Sequence, residues 1–134
     1  MPKVFASIQK IPYRIEILSV TKNVIIADEP PDKGGKDTGF SPKELLAAAL
    51  SACTLATLRM YVERKGWEFA EIKVETELTE ADNKTTFSRR IEFSEKIDEE
   101  KKRHLLHVAN ACPVHKILSN PIEIKTEILY FNGL

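Results

Sequence analysis

The run Leu45-Leu-Ala-Ala-Ala-Leu-Ser-Ala-Cys-Thr-Leu-Ala-Thr-Leu58 constrains the fold of this chain more than any other stretch, because read as a helix it is apolar on nearly every face. Only Ser51, Thr54 and Thr57 interrupt it with hydroxyls. Immediately before it, Ser41-Pro42-Lys43-Glu44 reads as a helix start: Ser41 as N-cap, Pro42 at the first helical position and Glu44 closing a capping box. The pattern predicts a helix from here to about Lys65, stopped by Gly66. A helix without a polar face must be covered all round, and its many alanines let neighbours approach closely. The 14 residues before Arg59 fall short of the roughly 20 that a membrane span needs. The segment is therefore expected to be the central core helix, with no membrane partner.

The flanks supply the cover. Val4 to Gln9, Tyr13 to Ser19 and Val24 to Ala27 carry the β-branched and aromatic residues of three short antiparallel strands, broken at Pro12 and at Thr21-Lys22-Asn23. Asp28 to Phe40 contains Pro30-Pro31, Gly34-Gly35 and Gly39, which makes it a loop by turn chemistry. Its length suggests either a wall or lid of a site or a disordered surface excursion. Ile72 to Leu78 and Phe87 to Phe93 alternate with period two and form a hairpin turning at Ala81 to Lys84. Asp98 starts an amphipathic helix whose Leu105, Leu106, Val108 and Ala109 face inward, and Pro121 to Tyr130 reads as a closing strand. Trp67 and Phe69 are expected to pack in the core or an interface. The order is that of an α+β fold, an antiparallel sheet or sheets with a long buried central helix, in one domain spanning residues 1–134. One sheet covers one side of such a helix; a second subunit is expected to cover the other.

Charge excludes several partners. Lys plus Arg equals Asp plus Glu at 20 each, so no basic field draws nucleic acid or an anionic membrane. The start Met-Pro-Lys-Val-Phe lacks the layout of a secretory signal, which points to a cytoplasmic chain whose cysteines are normally reduced. Those cysteines are Cys53, inside the apolar helix, and Cys112, directly before Pro113. Pro113 suits the first position of a helix over Pro113 to Leu118, making Cys112 its N-cap, where free N–H groups and the helix dipole favour an anion. The thiolate is the reactive form of cysteine, so this placement suggests thiol redox chemistry. Both residues also fit the description of small buried hydrophobes.

Gly34-Gly-Lys-Asp-Thr-Gly-Phe-Ser-Pro-Lys-Glu-Leu-Leu, running on to Ala-Cys53-Thr, then Arg64-Lys-Gly66 and Ala111-Cys-Pro-Val-His-Lys-Ile-Leu118, resembles the OsmC/Ohr family of small thiol proteins. The resemblance extends over nearly the whole chain from about residue 10 and agrees with the order of elements. It implies an intertwined homodimer with active sites at the subunit interface, reducing organic hydroperoxides in oxidative stress defence without metal or organic cofactor. Carried onto this chain, Cys53 matches the peroxidatic position and Cys112 the resolving one. The implied cycle passes through a Cys53 sulfenic acid and a Cys53–Cys112 disulfide, which a small dithiol or a lipoylated protein reduces.

Two positions depart from the family pattern, which places a glutamate right after the proline of the helix start and an arginine in the N-terminal strands. Here the post-proline residue is Lys43, and Glu44 follows about 100° further round the helix. Glu44 is thus a candidate catalytic acid as well as a capping residue. The upstream arginine is Arg14, with Lys33, Lys36 and Lys43 as alternative cations. His115 can stabilise the Cys112 thiolate if its ring turns inward, although a surface position one turn into the helix is the preferred expectation. Cys112 and His115 with His104 or His107 lack the paired spacing of a metal site. An apolar pocket beside Cys53, built from Leu46, Leu50, Thr54 and a partner-chain wall, is expected to favour bulky hydroperoxides. The alternative to a peroxidase is a non-catalytic dimer that binds a small apolar or electrophilic ligand; a purely structural protein is a weaker third.

Overall fold

The computed structural model describes residues 1–130 and has the α+β architecture. Strands β1 (Val4–Ile8), β2 (Ile15–Ser19) and β3 (Val24–Ala27) form an antiparallel meander in the order β1-β2-β3. Helix α1 (Pro42–Lys65) follows, then the hairpin of β4 (Ile72–Ala81) and β5 (Lys84–Phe93), helix α2 (Glu99–Asn110) and helix α3 (Pro113–Ser119).

Local chemistry accounts for the element ends. Ser41 Oγ accepts from the Glu44 amide at 3.2 Å and Glu44 Oε1 accepts from the Ser41 amide at 2.8 Å, a complete capping box. Gly66 ends α1 in the left-handed conformation, φ 71°. Asp82 and Asn83, φ 53° and 60°, turn the hairpin with both central residues in the left-handed region, as a two-residue connection between right-twisted strands requires. Asp98 caps α2 by accepting from the Lys101 amide at 2.8 Å.

The hairpin alternates cleanly. Ile72, Val74, Thr76 and Leu78 of β4 face α1 together with Phe87, Ile91 and Phe93 of β5, while Lys73, Glu75 and Glu77 face out. The core is the cluster of Leu58, Val62, Phe69, Leu105 and Ala109, joined by Trp67, Ile91 and Phe93. Phe69 stacks on Phe93 at 4.9 Å, and Trp67 meets Tyr61 edge-on at 5.7 Å.

Two expectations change. By length and composition α1, with 24 residues, is long and apolar enough to cross a membrane; it packs instead against β4, α2 and α3. It buries one stripe in the single chain, Leu50, Thr54, Leu58 and Val62 at successive i+4 positions, and leaves Leu46 and Met60 open. The strand expected over Pro121 to Tyr130 is not formed: the segment pairs with neither sheet, and Ile124 and Ile128 are 83% and 92% exposed. Its alternating sequence is a strand's, but a strand needs an edge to pair with, and this segment meets none among the described residues. The β1–β3 meander likewise exposes Val4, Phe5, Ile8, Val24 and Ile25.

The 28–40 loop is built round one carboxylate. Asp28, 2% exposed, accepts from the Glu29 amide at 2.8 Å, the Lys36 amide at 3.3 Å, and the Thr38 amide and hydroxyl at 3.1 and 2.6 Å. The Thr38 bonds above all hold its pKa down, to about 2. A depressed carboxylate contributes stability that is present above its ordinary 3.8 and lost as pH falls towards 2. Gly35 and Gly39 allow this wrapping, since a Cβ would come within 1.8 Å of the Glu29 carbonyl oxygen and 2.1 Å of that of Ile26. Gly35→Ala is expected to destabilise the protein by about 1 to 3 kcal/mol and to open the loop to proteases; an unchanged urea midpoint would contradict this. The loop hands β3 to α1 through the Ala27–Phe40 bridge.

Candidate functional site

Both cysteines converge on the first turn of α3. Pro113 at the first helical position leaves the amides of Val114 and His115 free at the helix start. The Val114 N–H donates to Cys53 Sγ at 3.4 Å, and the His115 N–H donates to Cys112 Sγ at 3.4 Å. Two sulfurs 59 residues apart in sequence thus share successive amides of one helix end. Both thiols are free; Cys112 is the N-cap expected of it and is fully buried, whereas Cys53 is half-buried.

The other expected participants lie elsewhere or are engaged. Glu44 is committed to the capping box and precedes Cys53 by nine residues, about 13 Å along the helix axis. Lys43 pairs with Glu80, an exposed contact that raises the pKa of the lysine and lowers that of the glutamate through their shared hydrogen bond. Of the three residues expected to line a pocket beside Cys53, Leu50 and Thr54 face the core and Leu46 remains 49% exposed.

Arg89 of β5 is the residue that sequence reasoning missed. Its Nη1 donates to Thr54 Oγ1 at 3.0 Å and to the Ala109 carbonyl at 3.0 Å. Its Nη2 donates to Asn110 Oδ1 at 3.1 Å and lies 2.6 Å from His115 Nδ1. The signal was available: Arg89 occupies an inward register position between Phe87 and Ile91, where the period-two pattern calls for an apolar residue. A cation placed there demands acceptors. Thr54 supplies one, donates a hydrogen bond from its own hydroxyl to the Leu50 carbonyl at 2.7 Å, and sits 3.9 Å from Cys112 Sγ.

His115 is turned inward onto Arg89, not outward as its helix position suggested. A guanidinium only donates, so Nδ1 accepts and a neutral ring carries its proton on Nε2. Burial, and secondly the Arg89 charge, lower the pKa of His115. The neutral form is therefore the one the fold favours, and the stability it contributes is complete above the ordinary value of 6.5 and declines as pH falls below it. Between pH 8 and 5.5 the urea midpoint of the protein is expected to fall further than that of His115→Gln. Parallel falls in the two proteins would show that this ring does not titrate as described.

A family model for OsmC-like proteins matches residues 34–127, which include both cysteines. Among curated proteins, none matches the chain. Solved structures share the fold. A Psychrobacter arcticus protein described as an osmotic stress induced and detoxification response protein is 26% identical at a TM-score of 0.76, with 87% of this chain and 88% of that one covered. An OsmC-like protein from Mycoplasma pneumoniae is 20% identical at 0.68, covering 88% and 86%. The organic hydroperoxide resistance protein OhrB of Bacillus subtilis is 22% identical at 0.60, covering 93% and 95%.

Proposed function

Because the chain belongs to the OsmC-like protein family, whose members include organic hydroperoxide resistance proteins, we propose that it is a thiol peroxidase of the reducing cytoplasm. The observation that carries this reading is the pairing of Cys53 and Cys112 with successive amides of α3. The half-buried Cys53 thiolate attacks the distal oxygen of an organic hydroperoxide, the O–O bond breaks, and the alkoxide leaves as alcohol after taking a proton. Cys53 is left as a sulfenic acid. Cys112, buried beside it, attacks that sulfur and forms the disulfide while the hydroxyl departs as water. A dithiol, free or carried on a lipoylated protein, then restores both thiols by exchange.

The working unit in this reading is a homodimer. Apolar side chains lie exposed on the open side of α1 (Leu46, Met60), on the meander (Phe5, Val24, Ile25) and in the 121–130 segment (Ile124, Ile128), and exposed apolar surface of this kind is what an interface covers. A second copy covers them and completes an apolar wall over Leu46 and Cys53. Such a wall favours bulky hydroperoxides through burial of their apolar groups. With a dithiol as reductant, turnover of cumene hydroperoxide is expected to exceed that of hydrogen peroxide; the reverse order would contradict an apolar pocket.

One observation favours a second reading. Glu44 and Lys43 are both occupied away from Cys53, so within the chain neither supplies the acid and cation that the family pattern places at the thiol. A dimer that binds a small apolar or electrophilic ligand without turnover is consistent with that, and absence of peroxide-dependent disulfide would select it.

A further inference from the structure

Arg89 touches every segment that carries or flanks a cysteine. Thr54 directly follows Cys53 on α1; Ala109 and Asn110 end α2 just ahead of Cys112; His115 lies in the turn that Cys112 caps. One guanidinium binds all four, at 2.6 to 3.1 Å. Among the described residues it donates to no sulfur, and no carboxylate lies within ion-pair distance of it. A cation on the apolar face of a strand, satisfied only by neutral acceptors drawn from three helices, gains little as a stabilising ion pair. What it does is tie three helices together beside the helix start whose successive amides take the two sulfurs.

We propose that Arg89 is a positioning residue for the thiol pair, holding the Cys53 segment of α1 against the α2–α3 junction so that Cys112 can close on Cys53. This rests on the reading of the two cysteines as a redox pair, but not on peroxide as their oxidant. The planar fork matters more than the charge: two nitrogens each reach two acceptors in fixed directions, and a lysine ammonium does not span them. Disulfide geometry is narrow, with Cα atoms about 4.4 to 6.8 Å apart, and misplacement by about 1 Å in a reacting pair costs on the order of 100-fold.

The test uses glutathione instead of peroxide. The full chain is equilibrated with defined ratios of reduced and oxidised glutathione, and the Cys53–Cys112 disulfide is counted by alkylation and mass. In this exchange two electrons and two protons pass from the protein thiols to glutathione disulfide, giving the protein disulfide and two glutathione thiols. Arg89→Met and Arg89→Lys are each expected to lower the effective concentration of the thiol pair by about 10- to 100-fold relative to the wild type. An unchanged value in both variants, wild-type behaviour of Arg89→Lys, or no intramolecular disulfide in the wild type at any ratio would overturn the proposal. Should Arg89→Met fail to fold, Asn110→Ala and His115→Ala each remove one arm of the clamp and are expected to weaken the pair, with no change again contradicting it. Disulfide formation that depends on Arg89 in glutathione but does not occur with peroxide would remove the peroxidase reading and leave this one standing.

Discussion

Cys53→Ser is expected to slow organic hydroperoxide reduction by on the order of 10³-fold or more, as removal of a covalent nucleophile does, while leaving the fold intact. The expectation comes from asymmetry between the two thiols. Cys112 is sealed from solvent and caps a helix, whereas Cys53 is half-buried, with an amide directed at its sulfur. Only the accessible sulfur can meet a peroxide first. Cys112→Ser should differ in kind: the first turnover proceeds, the sulfenic acid persists, and a trapping reagent such as dimedone labels Cys53. Equal loss of the first turnover in both variants would reverse or remove the assigned roles.

The largest effect on stability is expected at Leu58. It is fully buried at the centre of the cluster with Val62, Phe69, Leu105 and Ala109, where α1 meets the hairpin and α2. Leu58→Ala removes a side chain from a place with helix on one side and sheet on the other, so the cavity cannot collapse easily, and the cost is about 2 to 5 kcal/mol. Equilibrium urea unfolding at a fixed protein concentration measures it, because the stability of the proposed dimer would depend on concentration. A loss below about 1 kcal/mol would mean that the packing around α1 is looser than described.

The regular elements were legible because each is written in local chemistry. The capping box at Ser41 and Glu44, the glycine stop at 66, the alternation of residues 72–78 and the aspartate cap at 98 all form as their sequences dictate. The site was half legible. Cys112 announced its helix-cap position through Pro113, but nothing local places Cys53 against the amide of Val114, a contact 61 residues away. Arg89 lies outside the N-terminal strands where the resemblance places an arginine, and its acceptors on α1, α2 and α3 come together only in the fold. His115 was misjudged because its partner is Arg89, on a strand that only the tertiary fold brings near. The 121–130 segment shows the opposite failure: its pattern is a strand's, but pairing is decided by an available edge and not by pattern. The loop of residues 28–40, open between lid and disorder from its sequence, is ordered by the Asp28 carboxylate at its neck.

The most direct test of the central claim is the intact mass of the reduced protein under non-reducing conditions, after one equivalent of cumene hydroperoxide. Rapid loss of two hydrogen masses, absent from both Cys53→Ser and Cys112→Ser, is the predicted result. An unchanged wild-type mass would contradict a peroxidase and leave a small-ligand-binding dimer as the function of this fold.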